Sequence, residues 1–221
     1  AGSIETTGTG NIKLDVSGDF VMNANDGTQI VSGGWINIDP IDVVIDGAGL
    51  SAVGDITVNA DNTITVNANI TADSDADGAG NAELASGISI TQNSGTISGA
   101  NVTLNSGTII TNDDINATGD VNLTATTGSI NQASGDIVAG GNVTLYASDN
   151  ITIGGTIGDT TAIGGNVIFT GPNVVTVEGN NYNAVGGNVN INGAIEAEGV
   201  IYAGANGFIN ITDTITSNNN E

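Results

Sequence analysis

Internal repetition constrains this chain more than any other feature. "ANVTL" begins at Ala100, "GDVNL" at Gly119, "GNVTL" at Gly141, "GNVIF" at Gly165 and "GNVNI" at Gly187. Looser copies begin at Gly10, Gly34, Gly54, Gly80 and Gly207. The period between successive starts is about 22 residues, and the longest spacing runs from Gly54 to Gly80. A unit of that length holds two or three short strands and cannot bury an apolar face alone. It has to stack on its neighbours.

Each copy alternates apolar and polar residues, the period of a half-buried strand. Val102 and Leu104 share one face, as do Val121 and Leu123, Val143 and Leu145, Val167 and Phe169, Val189 and Ile191, and Ile209 and Ile211. Thr103, Asn122, Thr144, Asn190 and Asn210 take the other face, and Ile168 points outward against the rule. Further short strands follow within each unit, at 107–111, 128–132, 135–139 and 150–155, separated by Gly, Asn and Asp. No segment carries a helical apolar period with caps. The expected fold is all-β: a right-handed, single-stranded parallel β-helix (a β-solenoid) of about ten turns of ~22 residues, with like residues stacked up the axis. Turns spaced by ~4.8 Å give a rod of roughly 50 Å. A β-sandwich is the alternative, but its strands pair as antiparallel hairpins and do not repeat their sequence. The whole chain, 1–221, is expected to form one solenoid domain.

These repeats, above all "SGDIVAGGNVTLYASDNITIGG" and "GGNVNINGAIEA", resemble those of filamentous-haemagglutinin-like proteins, the large exoproteins of two-partner secretion. The resemblance spans residues 10–212. It implies a right-handed β-helix, export through an outer-membrane pore, and an adhesive or matrix-building role at a bacterial cell surface or outside the cell. The family's globular secretion domain is not in this sequence.

Composition narrows function by exclusion. One lysine, Lys13, no arginine and no histidine stand against 24 acidic residues, for a net charge of −23. Nothing can neutralise phosphates, which excludes nucleic acid as a partner and argues against anionic membranes. No apolar run is long enough for membrane insertion as a helix. Cysteine is absent, so disulfides and thiol chemistry are excluded. No leader with a basic and then an apolar region opens the sequence. That fits a removed leader or a chain excised from a longer one.

The same counts bear on catalysis. Without His or Cys there is no Ser–His or Cys–His nucleophile and no histidine-bound metal. Lyase chemistry on a uronate needs cations that are missing. Two carboxylates suffice for a glycosidase, and Glu196 with Glu198, or Asp113 with Asp114, are candidates. The seven aromatics do not gather around either pair. The expectation is that the chain is not an enzyme. The carbohydrate-binding or carbohydrate-active module is the alternative. Asn-x-Thr triplets at Asn101, Asn142, Asn150 and Asn210 read as turn and strand chemistry rather than glycan sites. Trp35, Tyr146, Tyr182 and Tyr202 are assigned no role.

One acidic loop stands apart. "TADSDADGAGNAE" occupies 71–83, inside the longest spacing. Asp73, Asp75 and Asp77 fall at positions 1, 3 and 5 of a calcium loop and Gly78 at position 6. Asn81 and Glu83 complete the candidate ligand set, though Glu83 falls one place short of the expected bidentate position and no flanking helices are expected. Four carboxylates at ~6 Å repel by roughly 4 kcal/mol in water. The loop either splays as a solvated turn or folds against the rod around calcium. The expected partners are other copies of the chain or adjoining repeats stacked end to end, with surface glycans or matrix as further contacts.

Overall fold

A computed structural model describes residues 3–23, 27–158, 164–177 and 180–218. The final polar residues 219–221, where the repeat pattern fades, lie outside the described residues. The chain is all-β, with no helix among the described residues, and therefore no helix long and apolar enough to cross a membrane. It winds as a parallel β-solenoid of about nine turns of ~21 residues. Each turn contributes one short strand to each of three faces, and the faces grow into parallel sheets of ten, nine and nine strands.

Alternation along each strand becomes stacking along the axis. In the second sheet, Val102, Val121, Val143 and Val167 lie in register, and beside them Leu104, Leu123, Leu145 and Phe169. The first sheet carries an aliphatic column from Ile30 through Leu50, Ile70, Ile97, Ile115, Ile137 and Ile157 to Ile195. Nearly all of these side chains are fully buried in one continuous core. Each contributes about 1.5–3 kcal/mol relative to exposure, which makes a narrow interior sufficient. Thr103, Asn122 and Thr144 form the outward ladder expected for them. Ile168 lies on that outer ladder between Thr144 and Tyr202.

The repeat is not in phase from end to end. Eight copies, from Ile12–Asp15 to Val167–Thr170, stack in the second sheet. The last two do not follow them. Val189–Ile191 stacks on Ile151–Ile153 in the third sheet, and Ile209–Ile211 stacks on it in turn. The strand that continues the second sheet is Ile201–Ala203, which pairs with Val167, Ile168 and Phe169. An antiparallel hairpin, Asn173–Val177 with Asn180–Ala184, intervenes between them in the chain. It consumes the length of half a turn without adding to the stack. The next "GNV" segment therefore arrives one face later. This phase shift is why ten sequence copies give about nine turns.

Corners are held by a ladder of side-chain amides and carboxylates just before the second sheet. Asp55 Oδ1 accepts from the backbone N and Nδ2 of Asn81, at 2.8 and 3.0 Å. Asn81 Oδ1 accepts likewise from Asn101, at 3.1 and 2.8 Å. The chain of contacts runs on through Asp120, Asn142 and Asn166 to the N–H of Val200. Where the strand bends into a corner, its backbone N–H would otherwise lack a ladder partner. The residue one turn below supplies it. A second, shorter ladder runs from Asn150 through Asn188 to Phe208 before the third sheet.

Candidate functional site

The acidic loop leaves the first sheet after Ile70–Thr71 and rejoins the second at Ala82–Ser86. Its conformation follows from two left-handed residues, Asp73 at φ 57° and Ala76 at φ 59°. Aspartate tolerates that region; alanine resists it by about 1–2 kcal/mol. The compensation is local hydrogen bonding. Asp73 Oδ1 accepts from the N–H of Asp77 and Gly78 at 2.9 and 3.1 Å, and Oδ2 accepts from Gly78 at 3.0 Å. Asp77 Oδ1 accepts from the N–H of Ala79 at 3.0 Å. Ser74 donates its N–H to Ala52 O, tying the loop to the turn below.

This bend brings Asp73, Asp75 and Asp77 together, each with a carboxylate oxygen within 4.8 Å of the others. Asp73 is only 8% exposed, whereas Asp75 and Asp77 face solvent. A shallow cleft of about 230 Å³ lies between the loop and the outer face of the first sheet, bordered by Asp73, Ala76, Ser98 and Asn116. The other two candidate ligands stand elsewhere. Asn81 is a rung of the corner ladder, with both ends of its amide engaged. Glu83 projects outward from its strand between Thr57 and Thr103. The three aspartates are hard, charged oxygen donors of the kind calcium takes.

The paired carboxylates are placed as follows. Asp113 accepts from the N–H of Gly95 and of Asp114, and Asp114 accepts from the N–H of Asp136. Both therefore act as corner acceptors. Glu196 lies on the outer face of Ile195–Ala197 beside Thr216, and Glu198 is exposed beyond the strand's end. Lys13 pairs with Asp15 at 2.8 Å on an exposed face, and that hydrogen bond, then the carboxylate's charge, raises its pKa.

Asp42 shows how corner bonding tunes an acid. Its carboxylate accepts from the Thr63 hydroxyl, from the Thr63 N–H at 3.0 Å and from Asn62 Nδ2 at 3.4 Å. The Thr63 hydroxyl above all holds Asp42 below the ordinary carboxylate range; desolvation opposes this and the Asn62 amide adds to it. A depressed folded-state pKa stabilises the fold above the unfolded value, about 3.9. That stabilisation is lost as pH falls through the folded value. Thr63→Val should move the Asp42 titration upward towards the ordinary range in an NMR pH series. An unchanged midpoint would remove the hydroxyl as the cause.

Strand alternation alone does not reveal the corner ladder. Its signal was present, an Asn or Asp recurring one residue before the inward Val or Ile. Asn101, Asn142 and Asn150, which open Asn-x-Thr triplets, have their side chains committed to these ladders. Nor does strand alternation reveal the hairpin, whose Tyr182 stacks on Tyr202 of the Ile201–Ala203 strand (ring centroids 6.2 Å apart). Tyr202 donates its hydroxyl to Asn183 O at 2.6 Å and so pins the hairpin to the rod.

The fold defines the chain as a parallel β-solenoid. No family model, no curated protein and no solved structure matches it.

Proposed function

We propose that this chain is a non-catalytic structural or adhesive rod, part of a filamentous-haemagglutinin-like surface protein or fibre. It acts at a bacterial cell surface or outside the cell and mediates matrix or cell contacts. The observation that carries this reading is the disposition of its polar groups. Among the described residues they are spread along three continuous faces and spent on corner ladders, and the converged group Asp73, Asp75 and Asp77 borders a shallow, open cleft. The acidic surface suits a cation-containing medium. End-to-end contact with other copies or adjoining repeats is part of the proposal. The edge strands Ile209–Ile211 and Ile215–Ser217 are largely exposed, as are Val200 and Phe208, and such edges pair readily.

Calcium belongs to the same proposal as a clip at Asp73, Asp75 and Asp77, where it would neutralise converged charge and hold the loop against the rod. Calorimetric titration should give a calcium-binding heat that disappears in the Asp73→Asn, Asp75→Asn, Asp77→Asn triple variant. No heat at millimolar calcium sinks the clip and leaves the rod untouched. Electron microscopy of the same samples tests the rod: filaments or lengthwise stacking are expected at high concentration, and strict monomers count against self-association. A carbohydrate-binding role is the second reading, favoured by the tyrosine pair beside a cleft of about 290 Å³. Glycan-array binding lost on Tyr182→Ala would move the assignment there.

A further inference from the structure

The third sheet's inner column changes character midway. Val66 lies below Gln92, then Thr111, then Gln132, and Ile153 lies above, all in register. Gln92, Thr111 and Gln132 are each 0% exposed, at positions where the neighbouring turns place aliphatic side chains. The two glutamines occupy matching turns, "QNSG" at 92–95 and "QASG" at 132–135. Their amides are used alike. Gln92 Nε2 donates to Gly95 O at 2.6 Å and to Asp114 O at 3.0 Å. Gln132 Nε2 donates to Gly135 O at 2.7 Å and to Thr156 O at 3.2 Å. Both amide protons are thereby spent on carbonyls, which fixes each amide's orientation. A flipped amide would set oxygen against oxygen.

That orientation turns the other end of each amide inward without a partner. Gln92 Oε1, Thr111 Oγ1 and Gln132 Oε1 are buried and make no hydrogen bond to the protein. Three such atoms on three consecutive rungs form one polar seam, closed by Val66 and Ile153. Threonine is two heavy atoms smaller than the glutamines on either side, so the middle rung fills less of the column than its neighbours do.

We propose that this seam is a binding site for a short file of buried water, about two molecules, inside the solenoid. The seam has three acceptor oxygens and a single hydroxyl proton, so its occupant has to bring donors. Water does. Rungs are spaced by about 4.8 Å, and a water ~2.8 Å from each of two oxygens bridges any separation up to about 5.6 Å. One water links Gln92 Oε1 to Thr111 Oγ1, and the next links Thr111 Oγ1 to Gln132 Oε1. Each then finds the two or more polar partners that a buried water requires. A bare hard cation takes six or more oxygens and favours charged ones; the seam offers three neutral ones.

The test uses the whole chain. Oxygen-17 relaxation dispersion counts long-lived internal waters, and Thr111→Val, which keeps the shape and removes the hydroxyl, should lower that count by about two. Thr103→Val, on the outer ladder, should leave it unchanged. A count equal in wild type and Thr111→Val overturns the proposal. If the variant does not fold, a high-resolution crystal structure of the wild type decides. Ordered water within hydrogen-bonding distance of all three oxygens supports the file, and a dry seam overturns it. An anomalous peak there in rubidium-soaked crystals overturns it in favour of a cation.

Discussion

Leu123→Asp should abolish cooperative folding of the rod, while Asn122→Asp, one residue away with the same added charge, should change stability by less than about 0.5 kcal/mol. Leu123 is fully buried between Leu104 and Leu145. Losing a buried leucine costs about 2–5 kcal/mol. An unpaired carboxylate in the same place adds several more, or forces its own protonation. The sum rivals the whole stability of an ordinary domain, about 5–15 kcal/mol. Asn122 stands on the outer face between Thr103 and Thr144, where a carboxylate stays in water. In a stack whose turns contact only their neighbours, a ruined middle turn uncouples the two halves. Denaturation followed by circular dichroism, with limited proteolysis, reads the difference. The expected result is cleavage near residue 123 in the first variant and a wild-type pattern in the second. Equal behaviour of the two would refute the inward and outward assignment.

Gly49→Ala comes next in size. Gly49 sits at φ 83°, and a Cβ there would lie 2.0 Å from the carbonyl oxygen of Asn69 and 2.9 Å from its carbon. That carbonyl also accepts the N–H of Leu50 at 2.9 Å, the bond joining this turn to the next. The left-handed backbone costs about 1–2 kcal/mol for alanine. Displacing the carbonyl sacrifices roughly another 1 kcal/mol of hydrogen bonding. A loss of about 2–3 kcal/mol is expected in chemical denaturation. Gly18→Ala is the companion: nothing lies within 4 Å of the added carbon and φ is not left-handed. It should be neutral or slightly stabilising, because alanine restricts the unfolded chain. A tolerated Gly49→Ala would mean that neighbouring turns approach less closely here than the structure has them.

Both predictions rest on features that differ in how far the sequence exposes them. The facing of Leu123 and Asn122 follows from alternation alone. The need for glycine at 49 does not, since it depends on the Asn69 carbonyl, one full turn further along the chain, coming within contact. The acidic loop is intermediate. Alternating Asp73, Asp75 and Asp77 mark a candidate cluster in the sequence, but a fully extended chain would hold such residues well apart. Left-handed turns at Asp73 and Ala76 gather them. Asn81 and Glu83 look like a continuation of the same set in one dimension. In three dimensions the register of the second sheet takes both, one into the corner ladder and the other onto the outer face.

By itself the sequence determined that this chain is a stack of short strands, which residues of the repeated Val-x-Leu segments share a face, and that no long helix is expected. Those properties come from local periodicity, a strand alternation nested within a longer repeat, and each unit carries the whole message. Tertiary structure decided which rung meets which. Stacking partners are chosen by the length of chain between them, and the hairpin at Asn173–Val177 and Asn180–Ala184 consumes that length without advancing the coil. So "GNVNI" leaves the face that its sequence twins occupy. Tertiary structure also set two glutamines and a threonine on consecutive buried rungs, although a full turn of chain separates each from the next.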